Sequence, residues 1–312
     1  MRLVFCGTPA FALPTLHAVL AAGHSVELIL TQPDRASGRG LVEQSSPVKQ
    51  AALERGIAIT QPDKIRNNAE LQQQLQAITP DAIVVVAYGR IIPGWMLTLP
   101  RLGNLNLHAS LLPKYRGAAP IQWAIACGEA ETGVTTMKMD AGLDTGDILL
   151  QRRLAIAPDQ TALELFPVLA DVGAALMVET LAGLETETLT ATPQDSSLAT
   201  LAPILQREDG HINCTQSAQE IYNRWRGFQP WPGAYATFRG KKLSIQRMRV
   251  VSGGPTGAHT PGTLLLHVKK LLLACGQATW LELLEVQLEG RKQIPAVDFL
   301  HGHQLKDGES LT

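Results

Sequence analysis

Residues 82–87, Ala-Ile-Val-Val-Val-Ala, constrain the fold more than any other stretch of this chain. The run is apolar at every position and β-branched through its middle, so it has no polar face to offer to water. A strand of this kind is buried on both sides, as in a mostly parallel sheet covered by helices. The start of the chain supplies a matching unit. Residues 2–6 are a short apolar run, and Phe11, Leu13, Leu16, Val19 and Leu20 then recur at helical spacing up to Gly23. Thr8 suits a helix cap, Pro9 the first helical position and Gly23 the stop. Residues 26–30 read as the next strand and complete a strand–helix–strand unit. No G-x-G-x-x-G string follows the first strand, so dinucleotide binding is not supported.

The same logic predicts helices over 47–55, 68–76 and 162–181, and strands over 57–60, 102–107, 133–139 and 148–155. Composition changes after Gly183. The stretch 185–202 is rich in Thr, Ser, Pro, Gln and Asp and reads as a linker. Beyond it, one helix over 217–226 precedes short strands over 234–238, 242–250, 262–267, 271–275 and 280–286. Turn signals at Gly253-Gly254-Pro255 and Gly276-Gln277 separate some of them. That pattern points to a small antiparallel barrel or sandwich. The expected division is therefore an α/β domain over 1–184, a linker over 185–206 and a smaller β domain over 207–312.

The net charge of -1 argues against a wholesale polyanion binder, yet it hides an asymmetry. Residues 1–206 hold 14 basic and 19 acidic side chains, whereas residues 207–312 hold 13 and 9. A basic second half suits an acidic partner, although surface drift produces the same split. Eight of those cations crowd into 207–250, among them Lys241, Lys242 and Arg247. Such a cluster can follow a phosphate backbone without reading sequence. Cys6, Cys127, Cys214 and Cys275 form no C-x-x-C pair, which fits buried thiols in a reducing compartment. No secretory leader is visible and no uninterrupted apolar run reaches about 18 residues, so a cytoplasmic protein without membrane contact is expected, acting as a monomer.

The chemistry concentrates at 106–113, Asn-Leu-His-Ala-Ser-Leu-Leu-Pro. Ligands of open parallel sheets bind outside the carboxyl ends of the strands. Asn106 and His108 fall at such an end and alternate with Leu107, so both point one way. An amide donor beside an imidazole can stabilise an oxyanion and move a proton, as acyl transfer to an amine requires. Asp144, in Gly142-Leu143-Asp144-Thr145-Gly146-Asp147, is the candidate carboxylate to orient His108. A lone histidine at a strand end is more often structural. The combination with Asn106, Ser110 and the Leu111-Leu112-Pro113 run is what favours catalysis.

Residues 106–122 and the string Met139-Asp140-Ala141-Gly142-Leu143-Asp144-Thr145-Gly146-Asp147 together resemble the folate-dependent formyltransferase family. So do Phe5-Cys6-Gly7-Thr8-Pro9, Thr31-Gln32-Pro33-Asp34-Arg35 with Gly38-Arg39-Gly40, Ser46-Pro47-Val48-Lys49 and, in the second half, Gln229-Pro230-Trp231-Pro232-Gly233-Ala234. The resemblance implies a Rossmann-like formyltransferase domain followed by a smaller OB-like β-barrel. It implies 10-formyltetrahydrofolate as co-substrate, the α-amine of methionine esterified to initiator tRNA as acceptor, and no metal. It implies Asn106, His108 and Asp144 as the catalytic trio. Tyr88, Gly89 and Ile91, then Ser110, Leu111, Leu112 and Pro113, and Asp140, are implied as folate contacts, although Ile91 and Ile92 also read as plain core. Arg35 and Arg39, in the long 34–46 loop, are implied as acceptor-stem contacts. There Leu41-Val42-Glu43-Gln44 departs from the lysine-rich stretch of many relatives, which shifts the expectation from charge toward apolar wedging. Two rivals remain: a formyltransferase acting on a small amine, and an RNA-binding protein without catalysis.

Overall fold

The chain alternates strand and helix through its first half because apolar runs alternate with capped amphipathic segments. The structure, a computed structural model, describes residues 1–37, 42–255, 259–305 and 308–312, with only the backbone of 35–37, 42 and 43. In order come β1 (Arg2–Gly7), α1 (Leu13–Ala21), β2 (Ser25–Leu30), β3 (Arg35–Ser37), β4 (Val42–Gln44), α2 (Pro47–Glu54), β5 (Ile59–Thr60), α3 (Ala69–Ile78), β6 (Ala82–Val86), α4 (Gly94–Leu97), β7 (Asn104–His108), α5 (Pro120–Ala126), β8 (Glu131–Lys138), β9 (Ile148–Ala155) and α6 (Ala162–Glu185). Then follow α7 (Ala218–Gly227), β10 (Tyr235–Phe238), β11 (Lys241–Val251), β12 (Leu264–His267), β13 (Lys270–Ala274), β14 (Trp280–Leu288), β15 (Ile294–Pro295) and α8 (Ala296–His303). The chain divides into two compact units: one of 1–120, 131–155 and 164–203, the other of 121–130, 156–163 and 204–312.

The first unit is a seven-stranded sheet ordered β5-β2-β1-β6-β7-β8-β9. Its first five strands run parallel, while β8 and β9 are antiparallel to their neighbours. The expected mostly parallel sheet is therefore present, and the 82–87 run is its middle strand, β6, buried at all five positions. Ser46 caps α2 by accepting from the Lys49 N–H, with Pro47 next, and Asn68 caps α3 by accepting from Leu71. The predicted helix after Pro9 begins instead with a short tight turn over Ala10–Ala12. Val4, Cys6, Leu28, Leu30, Ile83, Val85, Tyr88 and Met96 share one core with Leu71 and Leu75 of α3.

Two elements depart from the sequence reading. By length and composition α6 passes as a membrane-crossing helix, although no uninterrupted apolar run was seen there; half of its most apolar stretch is buried inside the protein. Leu165, Leu169, Leu176, Met177 and Leu181 are fully or nearly fully buried, and Phe166 meets Phe11 edge-on with ring centroids 5.4 Å apart. Second, 185–202 reads as a linker by composition, yet residues 192–202 are hydrogen-bonded within the first unit.

The second unit carries an antiparallel sheet ordered β10-β11-β14-β13-β12, with β15 added on β14. Register shifts around Arg247 interrupt the β11–β14 ladder, and irregularities of this kind increase twist and bend strands. Both edges of this half-barrel meet the segment 309–312. Leu264 N–H donates to Glu309 at 2.8 Å and Leu311 N–H to Gly262 at 2.9 Å, while Thr312 N–H donates to Thr237 at 3.0 Å. Leu243, Ile245, Met248, Leu271, Leu273, Leu281 and Val286 fill the interior with Phe238 and Phe299. The helix α7 opens with a reciprocal cap between Ser217 and Glu220. It lies against α5: a Cβ on Gly227 would stand 2.5 Å from the Gln122 carbonyl oxygen, so only glycine fits.

Candidate active site

His108 ends β7 and is 6% exposed. Its Nε2 lies 2.9 Å from the Tyr115 carbonyl oxygen, which can only accept, so Nε2 carries a proton. Nδ1 faces Asp144 Oδ2 at 3.7 Å. That separation is too long for a direct hydrogen bond but well within ion-pair range. In the neutral ring Nδ1 is a lone pair beside a carboxylate. A proton accepted there would come to lie between the ring and the acid, while the other ring nitrogen stays on the Tyr115 carbonyl.

Asp144 is held from two sides. Its Oδ2 accepts from the Gly117 N–H at 2.8 Å, and its backbone oxygen accepts from Gln194 Nε2 at 2.9 Å. Gly117 has φ +125, and a Cβ there would stand 2.6 Å from the Ala202 carbonyl oxygen. Asp144 and Tyr115 also have positive φ, 52 and 62, as does Ala87 just after β6 with 47. Backbone strain of this sort persists only where surroundings over-determine it, and it gathers at functional sites.

Asn106 lies two residues before His108 on the same side of β7 and is half-buried. Its carboxamide has no hydrogen-bond partner among the described residues, which leaves both donors for a ligand. The 110–113 segment is set by Thr135, whose fully buried hydroxyl donates to the Ser110 carbonyl at 2.6 Å and accepts from the Leu112 N–H at 3.1 Å. Gln151 braces it further, donating to the Leu112 carbonyl at 2.8 Å and to Thr135 at 3.0 Å. Leu112 is buried, while Leu111 and Pro113 are half-buried.

Several expected site groups are turned to other tasks. The Ser110 hydroxyl donates to the Lys114 carbonyl at 2.6 Å, so the side chain is used within its own turn. Asp140 is exposed and accepts from Gly142 N–H and the Thr145 hydroxyl. The Tyr88 ring is buried in the core, its hydroxyl has no partner among the described residues, and burial pushes its phenol well up, so it stays neutral. The Tyr88 carbonyl accepts from Gln32 Nε2 at 2.8 Å, and Gly89 also receives that amide, at 3.4 Å. Ile91 is 91% exposed, which removes it from the core, whereas Ile92 is buried.

The 34–46 loop is pinned at its base. Asp34 accepts from Lys49, from Gln61 at 2.8 Å and from Ser45 at 3.5 Å. Those bonds, Lys49 foremost, hold the Asp34 carboxyl below the usual range. The backbone beyond it forms a β3–β4 hairpin in which Arg35 pairs with Gln44. Arg39 and the side chain of Arg35 lie outside the described residues.

In the second unit, the outer surface of β11 is less free than its composition suggests. Arg247 pairs with Glu285 at 2.9 Å, and Arg249 and Lys270 share Glu282 at 2.7 and 3.4 Å. Arg226 is buried and donates to the Gln160 carbonyl at 2.8 Å and to Asn223 at 2.7 Å, which makes it structural. Lys241 and Lys242 have no carboxylate partner among the described residues. The Lys242 ammonium stands 4.2 Å from the Tyr235 ring centre. Of the cysteines, Cys6 and Cys275 are buried, as expected, and burial pushes the Cys275 thiol to about 12; Cys127 is exposed. Among the described residues no three His, Cys, Asp or Glu side chains gather to hold a metal.

Thr135, Gln151, Gln194 and Gly117 escaped the sequence reading. Each is an ordinary residue whose partner is 16 or more positions away, and no local pattern marks such pairs.

Residues 1–181 match the family described as "Formyl transferase", and residues 204–304 match "Formyl transferase, C-terminal domain". A methionyl-tRNA formyltransferase of Acidobacterium capsulatum is 62% identical over 98% of this chain and 97% of its own. One from Koribacter versatilis is 58% identical over 100% of this chain and 98% of its own. Among solved structures, an N-formyltransferase from Helicobacter canadensis, in complex with folinic acid and dTDP-3-aminofucose, superposes with a TM-score of 0.67. At 17% identity over 91% of this chain and 98% of its own, that likeness shows a shared fold. By sequence along nearly its whole length, and by fold, the chain belongs to the formyl transferase family, beside the methionyl-tRNA formyltransferases.

Proposed function

We propose that the chain transfers the formyl group of 10-formyltetrahydrofolate to the α-amine of methionine carried by initiator tRNA. The observation that carries this reading is the pair of buried His108 and half-buried Asp144, with the Asn106 carboxamide, unpartnered among the described residues, on the same side of the strand end. The amine nitrogen attacks the formyl carbon and forms a C–N bond. The carbonyl oxygen becomes an oxyanion, which accepts from the Asn106 amide. The amine gives up its proton to His108 Nδ1 or to Asp144, and the imidazolium is steadied by that acid. The bond to folate N10 then breaks, and N10 leaves with the proton as tetrahydrofolate. The backbone of 110–113, fixed by Thr135 and Gln151, gives the folate a rigid edge. Ile91 offers it an exposed apolar face, while buried Tyr88 supports the wall behind.

For the acceptor, Lys241 and Lys242, which have no carboxylate partner among the described residues, suit phosphate contact better than Arg247, which is tied to Glu285. Arg35 and Arg39 belong to the loop that would meet the acceptor stem. The basic second half and the relatives' shared name favour tRNA over a small amine, although the fold is shared with an enzyme crystallised with an amino sugar nucleotide. The test is direct. Purified full-length protein with the folate donor should formylate methionyl-tRNA and release tetrahydrofolate stoichiometrically. Formylation of dTDP-3-aminofucose instead would favour the small-amine reading, and no release with either would favour a binding protein.

A further inference from the structure

The stretch 192–202 is a strap laid along the two loops that carry the site. Thr192 and Ile148 exchange backbone hydrogen bonds, both at 2.8 Å. Tyr115 N–H donates to the Thr200 hydroxyl at 2.9 Å, Arg116 N–H to the Thr200 carbonyl at 2.8 Å, and Ala202 N–H to the Arg116 carbonyl at 2.7 Å. One side chain in this strap reaches both loops at once. Gln194 Oε1 accepts from Arg116 Nε at 3.1 Å and from its terminal nitrogen at 2.8 Å. Gln194 Nε2 donates to the carbonyls of Asp144 at 2.9 Å and Gly146 at 2.7 Å. Arginine only donates and carbonyls only accept, so a single amide orientation satisfies all four contacts.

We propose that Gln194 is a positioning residue for formyl transfer, aiming the Asp144 carboxylate at His108 while Arg116 holds the ring's partner loop. The inference rests on reading His108 and Asp144 as the reacting groups. Three observations carry it. Asp144 sits at φ +52, a conformation that needs an external hold, and the Gln194 amide grips its peptide. Arg116 is 8% exposed, and its guanidinium meets only neutral partners among the described residues, Gln194 and the Ser196 hydroxyl. Its neighbours are the two site contacts themselves: Tyr115 accepts from His108, and Gly117 donates to Asp144. The strap is fastened independently by its backbone, so the Gln194 side chain adds aim rather than attachment.

The experiment uses the full chain with 10-formyltetrahydrofolate and methionyl-tRNA. Gln194→Glu keeps an acceptor for Arg116 but sets an oxygen against two carbonyls; Gln194→Leu removes both contacts. Both variants should lower kcat by roughly ten- to a hundredfold, as expected of a misaimed group, with KM for each substrate within about twofold. In an Asp144→Asn background, Gln194→Glu should cost less than about twofold more, because its effect runs through that carboxylate. Asp195→Ala, on the same strap, should leave kcat at the parent value. Fully multiplicative losses, a rise in KM in place of the fall in kcat, or an equal loss in Asp195→Ala would overturn the proposal. If Asp144→Asn alone keeps parent turnover, the reading of the site falls, and this inference with it. If Asp144→Asn is disabled while Gln194→Glu is not, only this inference falls.

Discussion

His108 Nδ1 and Asp144 Oδ2 face each other across 3.7 Å while the second ring nitrogen is committed to the Tyr115 carbonyl. The ring therefore has one free position, and the acid stands beside it. Asp144→Asn retains a residue that tolerates positive φ but removes the charge. Turnover is expected to fall by about 10²- to 10⁴-fold, the range of general acid–base contributions, with little change in KM. Steady-state kinetics on methionyl-tRNA check this, and a surviving kcat would remove Asp144 from the mechanism.

Asn106 offers donors that have no partner among the described residues. Asn106→Ala should lower kcat by about 10²- to 10³-fold, the usual loss for one oxyanion donor. Calorimetric titration with a folate analogue should show binding close to the parent's. A variant that binds poorly but turns over normally would make Asn106 a binding group instead.

Thr135 ties the Ser110 carbonyl, the Leu112 N–H and Gln151 through one buried hydroxyl. Thr135→Val leaves those groups unsatisfied at nearly constant volume, and about 1–3 kcal/mol of stability should be lost. Urea denaturation measures it. The same variant should raise KM for the folate donor more than it lowers kcat, since the 110–113 backbone loses its support.

Among the described residues Lys241 and Lys242 have no carboxylate partner, whereas Arg247 is bound to Glu285. Replacing both lysines by alanine should flatten the logarithmic salt dependence of tRNA affinity by about one unit per lysine. Arg247→Ala should change it less, because Glu285 already offsets that charge. Equal effects from all three positions, read from binding between low and moderate salt, would contradict the assignment.

Asp34 is the pH-sensitive brace of the 34–46 loop. Its bonds, led by Lys49, lower its carboxyl below the ordinary 3.8 in the folded protein. The stabilisation is thus complete above that value and lost as the pH falls through the lower, folded one. Asp34→Asn should remove this contribution, giving a melting temperature that declines less steeply with acidification below about pH 4. Thermal scans over that range decide it; parallel curves for parent and variant would refute the brace.

The sheet was legible because burial on both faces leaves a run such as 82–87 no alternative. The pair at 108 and 144 was legible for another reason: strand ends and glycine-rich turns advertise themselves locally. The local use of Ser110 was not legible, because a hydroxyl in a tight turn can satisfy the backbone as readily as a ligand, and here it donates to the Lys114 carbonyl. The partners of Arg247 and Arg226 were hidden in the same way. Sequence counts their charge, but only the register opposite Glu285 and the approach of the Gln160 carbonyl show where it is used. The strap over 192–202 was hidden by its own composition. Thr, Ser and Gln mark a solvated linker equally well as a set of side chains bonded across some 50 to 85 positions.

The contact between Gly227 and α5 bears on how the chain can be dissected. A fragment cut to begin at residue 204 would lack Gln122 and Ala126, against which that glycine is fitted, and the Gln160 carbonyl that receives Arg226. Such a fragment would present a bare helical surface and a buried-type cation opened to solvent. Separate expression of the carboxy-terminal portion therefore calls for the two earlier pieces, 121–130 and 156–163, to be grafted back.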